Sequence, residues 1–236
     1  PAGKVFIGLG DEQVAVAEQV CSQRDPVTLS NAVFMGAMEV TQQQFERVTG
    51  QQRGTFQGSE LPVETVTWKE AINFCEQLTQ FAGERAAGRQ YRLPTEAEWE
   101  FAARGDLNQK RFPWGDESKP GGDFMCNIFT GSFPDKNDAE DGWVGTCPVN
   151  AFPTNNFGLH NCSGNVWEWC DDWFSARHES DKPVRDPKGP LMGLDKVVKG
   201  GSYLCHDSYC NRYRLGARMG LLPDSSLGHQ GFRIAR

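Results

Sequence analysis

Apolar residues recur at helical spacing in three segments, and each segment opens on the same polar pair. In the first, Thr41 precedes Gln44, Phe45 and Val48 form the apolar stripe, the helix is expected to run through about Thr49, and Gly50 ends it. In the second, Thr67 precedes Glu70, and Ala71, Phe74, Cys75, Leu78 and Phe81 follow, with Gly83 as the expected stop. In the third, RLPTEAEWEFAARG, Thr95 precedes Glu98, Trp99 and Ala102 or Ala103 face inward, and Pro94 and Gly105 mark the two ends. A Thr that accepts from the amide three residues on, while Glu or Gln there reaches back, satisfies two amides that a helix start leaves unpaired. The pattern therefore predicts about three helices.

Beyond Gly105 the periodicity stops. Residues 106–165 are dense in Gly, Pro, Asn and Asp, and a stretch this long without repeating structure needs extra ordering, such as bound ions. Strand signals return late, in NVWEWCDDWF from Asn165, KVVKGGSY from Lys196, YRLGAR and GFRIAR. Helices first and short strands last predict an α+β fold with a small antiparallel sheet and much irregular structure.

No linker-like stretch interrupts the 236 residues, so one domain spanning 1–236 is expected. The 26 Gly and 13 Pro make it loop-rich and place function on loops. A mean hydropathy of -0.55 is that of a soluble globular chain, expected to be monomeric. The net charge is -7 and the basic residues pool only at Arg212, Arg214 and Arg218, which argues against nucleic-acid binding. No apolar run approaches the ~20 residues of a membrane span. The first residue is Pro1, so the location is left between the cytoplasm and secretion with a leader removed.

Eight Cys stand at 21, 75, 126, 147, 162, 170, 205 and 210, none in a CxxC pair, and their number leaves the redox compartment open. Cys205 and Cys210, in GGSYLCHDSYCNRYR, are five positions apart. In a straight strand their side chains would point to opposite faces, so they address one point only if HDSY bends. Two thiolates with few other donors suit Cu(I). A structural zinc would want four ligands, and only His206 and His229 are near. Non-haem iron is disfavoured, because His160, His178, His206 and His229 show no two-His-one-carboxylate spacing. Arg212 and Arg214 would favour thiolates if they point inward. A structural disulfide fits the spacing equally well.

Two further segments carry oxygen donors of the kind calcium requires. Asn127 and Asp141 bracket a loop holding Asp135, Asn137, Asp138 and Glu140, and Asn161 and Glu168 bracket a Gly turn. The same residues are ordinary turn formers, and neither loop has EF-hand spacing. Asn161, Cys162 and Ser163 also spell a glycosylation sequon.

The chain closely resembles the formylglycine-generating enzymes, or sulfatase-modifying factors. The resemblance runs through MEVTQQQF at 38–45, LPVETVTW at 61–68, YRLPTEAEWEFAARG at 91–105, FPWGD at 112–116 and CNIF through EDGW at 126–143. It continues through PVNAFPTNNFGL at 148–159, GNVWEWCDDWF at 164–174, KGGSYLCHDSYCNRYR at 199–214 and PDSS with GFR at 223–233. It implies a variant of the C-type-lectin-like fold and a copper-dependent, O2-using oxidase. That enzyme converts a Cys in a Cys-x-Pro-x-Arg motif of a client sulfatase to Cα-formylglycine.

By the same resemblance Cys205 and Cys210 hold Cu(I), the client thiolate joins them, and Ser202 belongs to the oxygen pocket. Trp167, Tyr209 and Ser226 line the peptide groove, and His229 stands where the family commonly has Asn. One calcium falls to Asn127, the Ile128 carbonyl, Asp141 and the Trp143 carbonyl; a second to Asn161, the carbonyls of Gly164 and Val166, and Glu168. Two departures bear on the client. Residues 50–61 replace a long insertion, and the apolar segment 219–222 replaces a polar loop. The fold also hosts binding modules, such as variable proteins of diversity-generating retroelements, for which Leu204, 219–222 and 227–229 would be the variable positions. A catalytically idle relative with a Cys205–Cys210 disulfide is the third reading.

Overall fold

The structure, a computed structural model, describes residues 3–7, 25–107, 109–176 and 184–236; Cys21 and His178 lie outside them. All three predicted helix starts form reciprocal caps. Thr41, Thr67 and Thr95 accept from the amides of Gln44, Glu70 and Glu98 at 3.1, 3.1 and 3.2 Å, and those side chains bond back. They open α1 (Gln42–Thr49), α2 (Trp68–Gln80) and α4 (Glu96–Arg104). Gly50 and Gly105 close α1 and α4 in the left-handed conformation, at φ 72° and 55°. The stop expected at Gly83 is displaced. Here α2 ends at Gln80, the chain turns at a partly exposed Phe81, and Gly83 falls inside a fourth helix, α3 (Ala82–Ala86).

Two short strands, β1 (Gly3–Ile7) and β2 (Asp25–Leu29), precede the helices and pair antiparallel. Val27 pairs in parallel with Val184 of β6 (Val184–Arg185). Neither sheet partner of β2 is visible in a local pattern. The late strands form a four-stranded sheet in the order β8-β7-β5-β9. It comprises β5 (Trp167–Trp173), β7 (Lys196–Lys199), β8 (Arg218–Leu221) and β9 (Gln230–Gly231), with β9 parallel to β5 and the other pairs antiparallel. The strand expected from Tyr213 starts only at Arg218, because 213–217 are turns. The architecture is α+β, as expected.

The middle stretch holds a small hairpin, β3 (Gly131–Ser132) and β4 (Lys136–Asn137), and little other regular structure. Asn side chains substitute for missing backbone partners there. Asn155 Nδ2 donates to the Ala102 and Ala103 carbonyls at 2.8 and 2.9 Å, and its Oδ1 accepts from Phe157 and Leu159.

The helices pack on the sheet through Phe45, Phe74, Trp169 and Phe232, with Phe45 and Phe74 stacked at 5.7 Å. Beside this apolar core runs a buried ionic seam between α4 and the sheet. Lys199 Nζ meets Glu100 Oε2 at 2.8 Å, Arg104 meets Glu100 at 2.6 Å, and Arg218 meets Glu96 at 2.7 Å. Burial alone would raise the Glu100 pKa, but Lys199 and Arg104 hold it below its ordinary value. No helix of the described residues is long and apolar enough to cross a membrane.

Removing one partner of such a buried pair strands the other charge, at a cost of about 3–5 kcal/mol. Lys199→Met is therefore expected to lower the urea-unfolding free energy by that amount, against about 1 kcal/mol for the cap substitution Thr67→Ala.

Candidate active site

The site is built where β7 ends. Gly200 and Gly201 adopt φ 91° and 74°, and a Cβ on Gly201 would lie 2.8 Å from Tyr213 Cα. Only glycine permits that approach, which folds the 202–213 segment into a closed loop. Within the loop the Ser202 carbonyl accepts from the Cys205 amide at 2.9 Å, and Ser202 Oγ accepts from Leu204 at 3.3 Å. The HDSY bend then forms: the amides of Tyr209, Cys210 and Asn211 converge on the His206 carbonyl at 3.1, 3.0 and 3.0 Å.

This turn brings Cys210 back to Cys205, so the two thiols hydrogen-bond each other, and both are free thiols. Cys205 is 2% exposed and Cys210 half-buried. The hydrogen bond from Cys205 pulls the Cys210 pKa down to about 6. Burial opposes that shift, and the amides of Arg212 and His206 with the Arg212 charge add to it. Cys205 is pushed well above its ordinary value, first by donating to Cys210 and then by burial. The pair is thus one thiol and one thiolate.

Of the three nearby arginines only Arg212 acts on the sulfurs. Its Nη1 donates to Met219 Sδ at 3.1 Å. Arg214 Nε braces the Asn211 carbonyl at 2.8 Å, and Arg218 belongs to the Glu96 pair. His206 Nδ1 faces Ser208 Oγ at 2.7 Å, and its ring stacks on Phe133. Among the described residues no three His, Cys, Asp or Glu side chains gather to hold a metal. A four-ligand zinc site of Cys and His is therefore not assembled.

The remaining predicted residues surround this pair unevenly. Trp167 is buried in the cluster that contains Cys205, Tyr213 and Phe112. Tyr209 is 72% exposed beside Cys210, and Ser226 is exposed on the following loop. His229 is half-buried, edge-on to Tyr203 at 6.4 Å, and burial lowers its pKa. The short 50–61 segment is firmly anchored here. Glu64 accepts from the amides of Thr55 and Phe56, and the Phe56 ring meets Tyr203 edge-on at 5.7 Å. In the 219–222 segment Met219 and Leu221 pack inward, and Leu222 is the large side chain left exposed, at 61%.

The oxygen-rich loops lie next to each other, since Asn127 and Gly164 bridge in parallel. Asn127 Nδ2 donates to the Gly145 carbonyl at 2.8 Å, whereas its buried Oδ1 has no partner. Asp141 accepts from the amides of Ile128 and Trp143 at 2.8 and 3.0 Å. Asn161, at φ 49°, donates to Glu39 at 3.1 Å, and its Oδ1 is likewise buried without a partner. Its burial closes the sequon to glycosylation. Glu168 is fully buried and accepts from Trp99 Nε1 at 2.5 Å and from Arg233 at 2.5 and 2.6 Å.

An orphaned buried amide oxygen in each set, beside one carboxylate, fits a hard cation. Glu39 is the residue that sequence reasoning missed. Its Oε2 accepts from Asn161 and Asn165, its Oε1 is unpartnered, and burial, then Glu168, raises its pKa to about 8. A lone acid before a helix cap reads as solvated, so no local signal marked it.

In reduced, metal-free protein the Cys210 thiolate is present above about pH 6 and lost below it. Iodoacetamide labelling located by peptide mass should therefore be half-maximal near that pH at Cys210. Cys205→Ala, which removes the donor, should move the midpoint up toward the ordinary thiol range. A midpoint near 9 in the unsubstituted protein would contradict the assignment.

The model of the family "Sulfatase-modifying factor enzyme 1-like domain" matches residues 1–236. The chain is 54% identical over 174 residues to "Formylglycine-generating enzyme" of Streptomyces coelicolor, covering 74% of this chain and 52% of that one. It is 40% identical over 179 residues to "Inactive C-alpha-formylglycine-generating enzyme 2" of Mus musculus, covering 75% and 49%. It thus spans about half the length of the curated relatives it matches. Among solved structures, "Treponema denticola variable protein 1" is 26% identical with a TM-score of 0.80, over 99% of this chain and 92% of that one.

Proposed function

The chain belongs to the sulfatase-modifying factor enzyme 1-like family, and from that membership we propose that it oxidises a client cysteine to formylglycine. The observation that carries the reading is the thiol–thiolate pair of Cys205 and Cys210, held at hydrogen-bond contact with one sulfur half-exposed. Cys205 and Cys210 would hold Cu(I), which when bound supplies redox chemistry toward O2. Binding there needs only one proton removed, from Cys205, since Cys210 is already ionised. The Arg212 charge offsets the excess anion as a third sulfur, that of the client Cys, approaches.

The reaction is a two-electron oxidation of the client Cβ with loss of its sulfur as sulfide, O2 being the electron acceptor. Tyr209, exposed beside Cys210, and Ser226 would flank a Cys-x-Pro-x-Arg segment of the sulfatase client, while buried Ser202 supports the loop from beneath. Two Ca2+ ions would take the unpartnered oxygens of Asn127 and Asn161. The first is completed by Asp141 and the carbonyls of Ile128 and Trp143, the second by Glu168 and the carbonyls of Gly164 and Val166. Metal–oxygen bonds there would order the long irregular stretch.

A second reading is a ligand-binding module. The likeness to a variable protein and the exposed Leu204, Tyr209, Leu222 and Leu227 favour it.

Copper-loaded protein incubated with a Cys-x-Pro-x-Arg peptide in air should yield an aldehyde, detected by hydrazide trapping. Cys205→Ser and Cys210→Ser should each reduce it at least a hundredfold. Tight peptide binding with no aldehyde would favour the binding module instead. Calcium at a hundredfold excess over its Kd should stabilise the chain by about 2.7 kcal/mol per site. Chelation should lower the melting temperature accordingly, and Asn127→Ala with Asn161→Ala should abolish that response.

A further inference from the structure

The β3–β4 hairpin touches the cysteine segment in two places. At its base, the Phe129 amide donates to the Cys205 carbonyl at 3.0 Å. At its turn, the Phe133 ring stacks on His206 with centroids 5.8 Å apart and 8° between planes. The same ring stacks on Tyr209 at 4.9 Å and 19°. Phe129 meets both Phe133 and His206 edge-on, at 5.2 and 6.1 Å. One element thus grips Cys205 by its backbone and the bend before Cys210 by its two rings.

The bend has little else to fix it. Asp207, Ser208 and Tyr209 are exposed, so water competes for the amides that converge on the His206 carbonyl. The hairpin, by contrast, is well braced. Asn137 Oδ1 accepts from the Thr130 amide and hydroxyl and the Ala139 amide, at 3.2, 3.0 and 3.0 Å. The Asp138 amide donates to the Thr130 carbonyl at 2.9 Å. Parallel offset rings restrain a side chain in orientation as well as in depth. Two such contacts on residues three apart fix the curvature of the chain between them.

We infer that Phe133 is a positioning residue for the Cys205–Cys210 pair, setting the separation of the two sulfurs by stacking on His206 and Tyr209. The inference rests on reading that pair as the reactive centre, but it concerns thiol geometry and requires neither copper nor a client.

The test is thiol–disulfide exchange with glutathione in metal-free protein. Closing Cys205 onto Cys210 consumes one oxidised glutathione, forms one S–S bond in the chain and releases two glutathione thiols. Its equilibrium constant therefore measures the effective concentration of one thiol at the other. The closed fraction is read by peptide mass at a series of glutathione ratios, with near-ultraviolet circular dichroism confirming the fold. Phe133→Leu, which keeps apolar bulk without a ring, should lower the constant at least tenfold. Phe133→Tyr should stay within twofold of the unsubstituted protein.

A Phe133→Leu constant within twofold of the unsubstituted value would overturn the inference. So would a Phe133→Tyr constant that falls as far as that of Phe133→Leu. Should Phe133→Leu not fold, Tyr209→Leu removes one stack from the exposed side. It should lower the constant several-fold, and an unchanged value again overturns the inference. A protein that makes no aldehyde yet shows these shifts would sink only the oxidase reading.

Discussion

Three consecutive amides, those of Tyr209, Cys210 and Asn211, converge on the carbonyl of His206. That turn converts a five-residue spacing, which a strand would splay to opposite faces, into two sulfurs in contact. Everything chemical at the site follows from the contact. A shared proton separates the two thiols into a donor and a thiolate, and a half-exposed thiolate beside Arg212 is where a soft metal or an electrophile would arrive. The glycines before the turn, the close approach of Tyr213, and Phe133 outside it are the means by which the rest of the fold imposes that geometry.

The frame behind the site is unusually polar for a buried region. Glu39, Asn127, Asn161, Asn165 and Glu168 all lie inside, linked by hydrogen bonds, and two amide oxygens and one carboxylate oxygen among them find no partner. Buried oxygens left unpaired are costly. Their concentration on the two loops that flank the sheet is the reason cations are the natural completion of this part of the fold. The ionic seam of Glu96, Glu100, Arg104, Lys199 and Arg218 stands in contrast, since its charges balance one another without help.

How far the sequence disclosed this depends on how local each signal is. The caps at Thr41, Thr67 and Thr95 are complete within four residues, and all three form. The end of α2 was misplaced because Gly83 can sit inside a short helix once Phe81 has turned the chain. Residues 213–217 alternate as a strand would, but Gly201 packs against Tyr213 and forces turns there, a contact between distant segments. The β1–β2 pair escaped notice because its partners are assembled only in three dimensions. The cysteine pair was visible as a question. Spacing left clamp and disulfide equal, and the answer lies in the His206 carbonyl and in a ring from far upstream. Asn127, Asp141, Asn161 and Glu168 stood out through family resemblance more than through spacing, and Glu39 did not stand out at all.

The central claim is that Cys205 and Cys210 form one two-sulfur site for a soft ion. Titration of the reduced protein with Cu(I) against a chelating indicator measures it directly. The account predicts one tightly bound Cu(I) per chain, coordinated by two sulfurs in X-ray absorption and lost in both Cys205→Ser and Cys210→Ser. Binding that is absent, or that survives both substitutions, would contradict it.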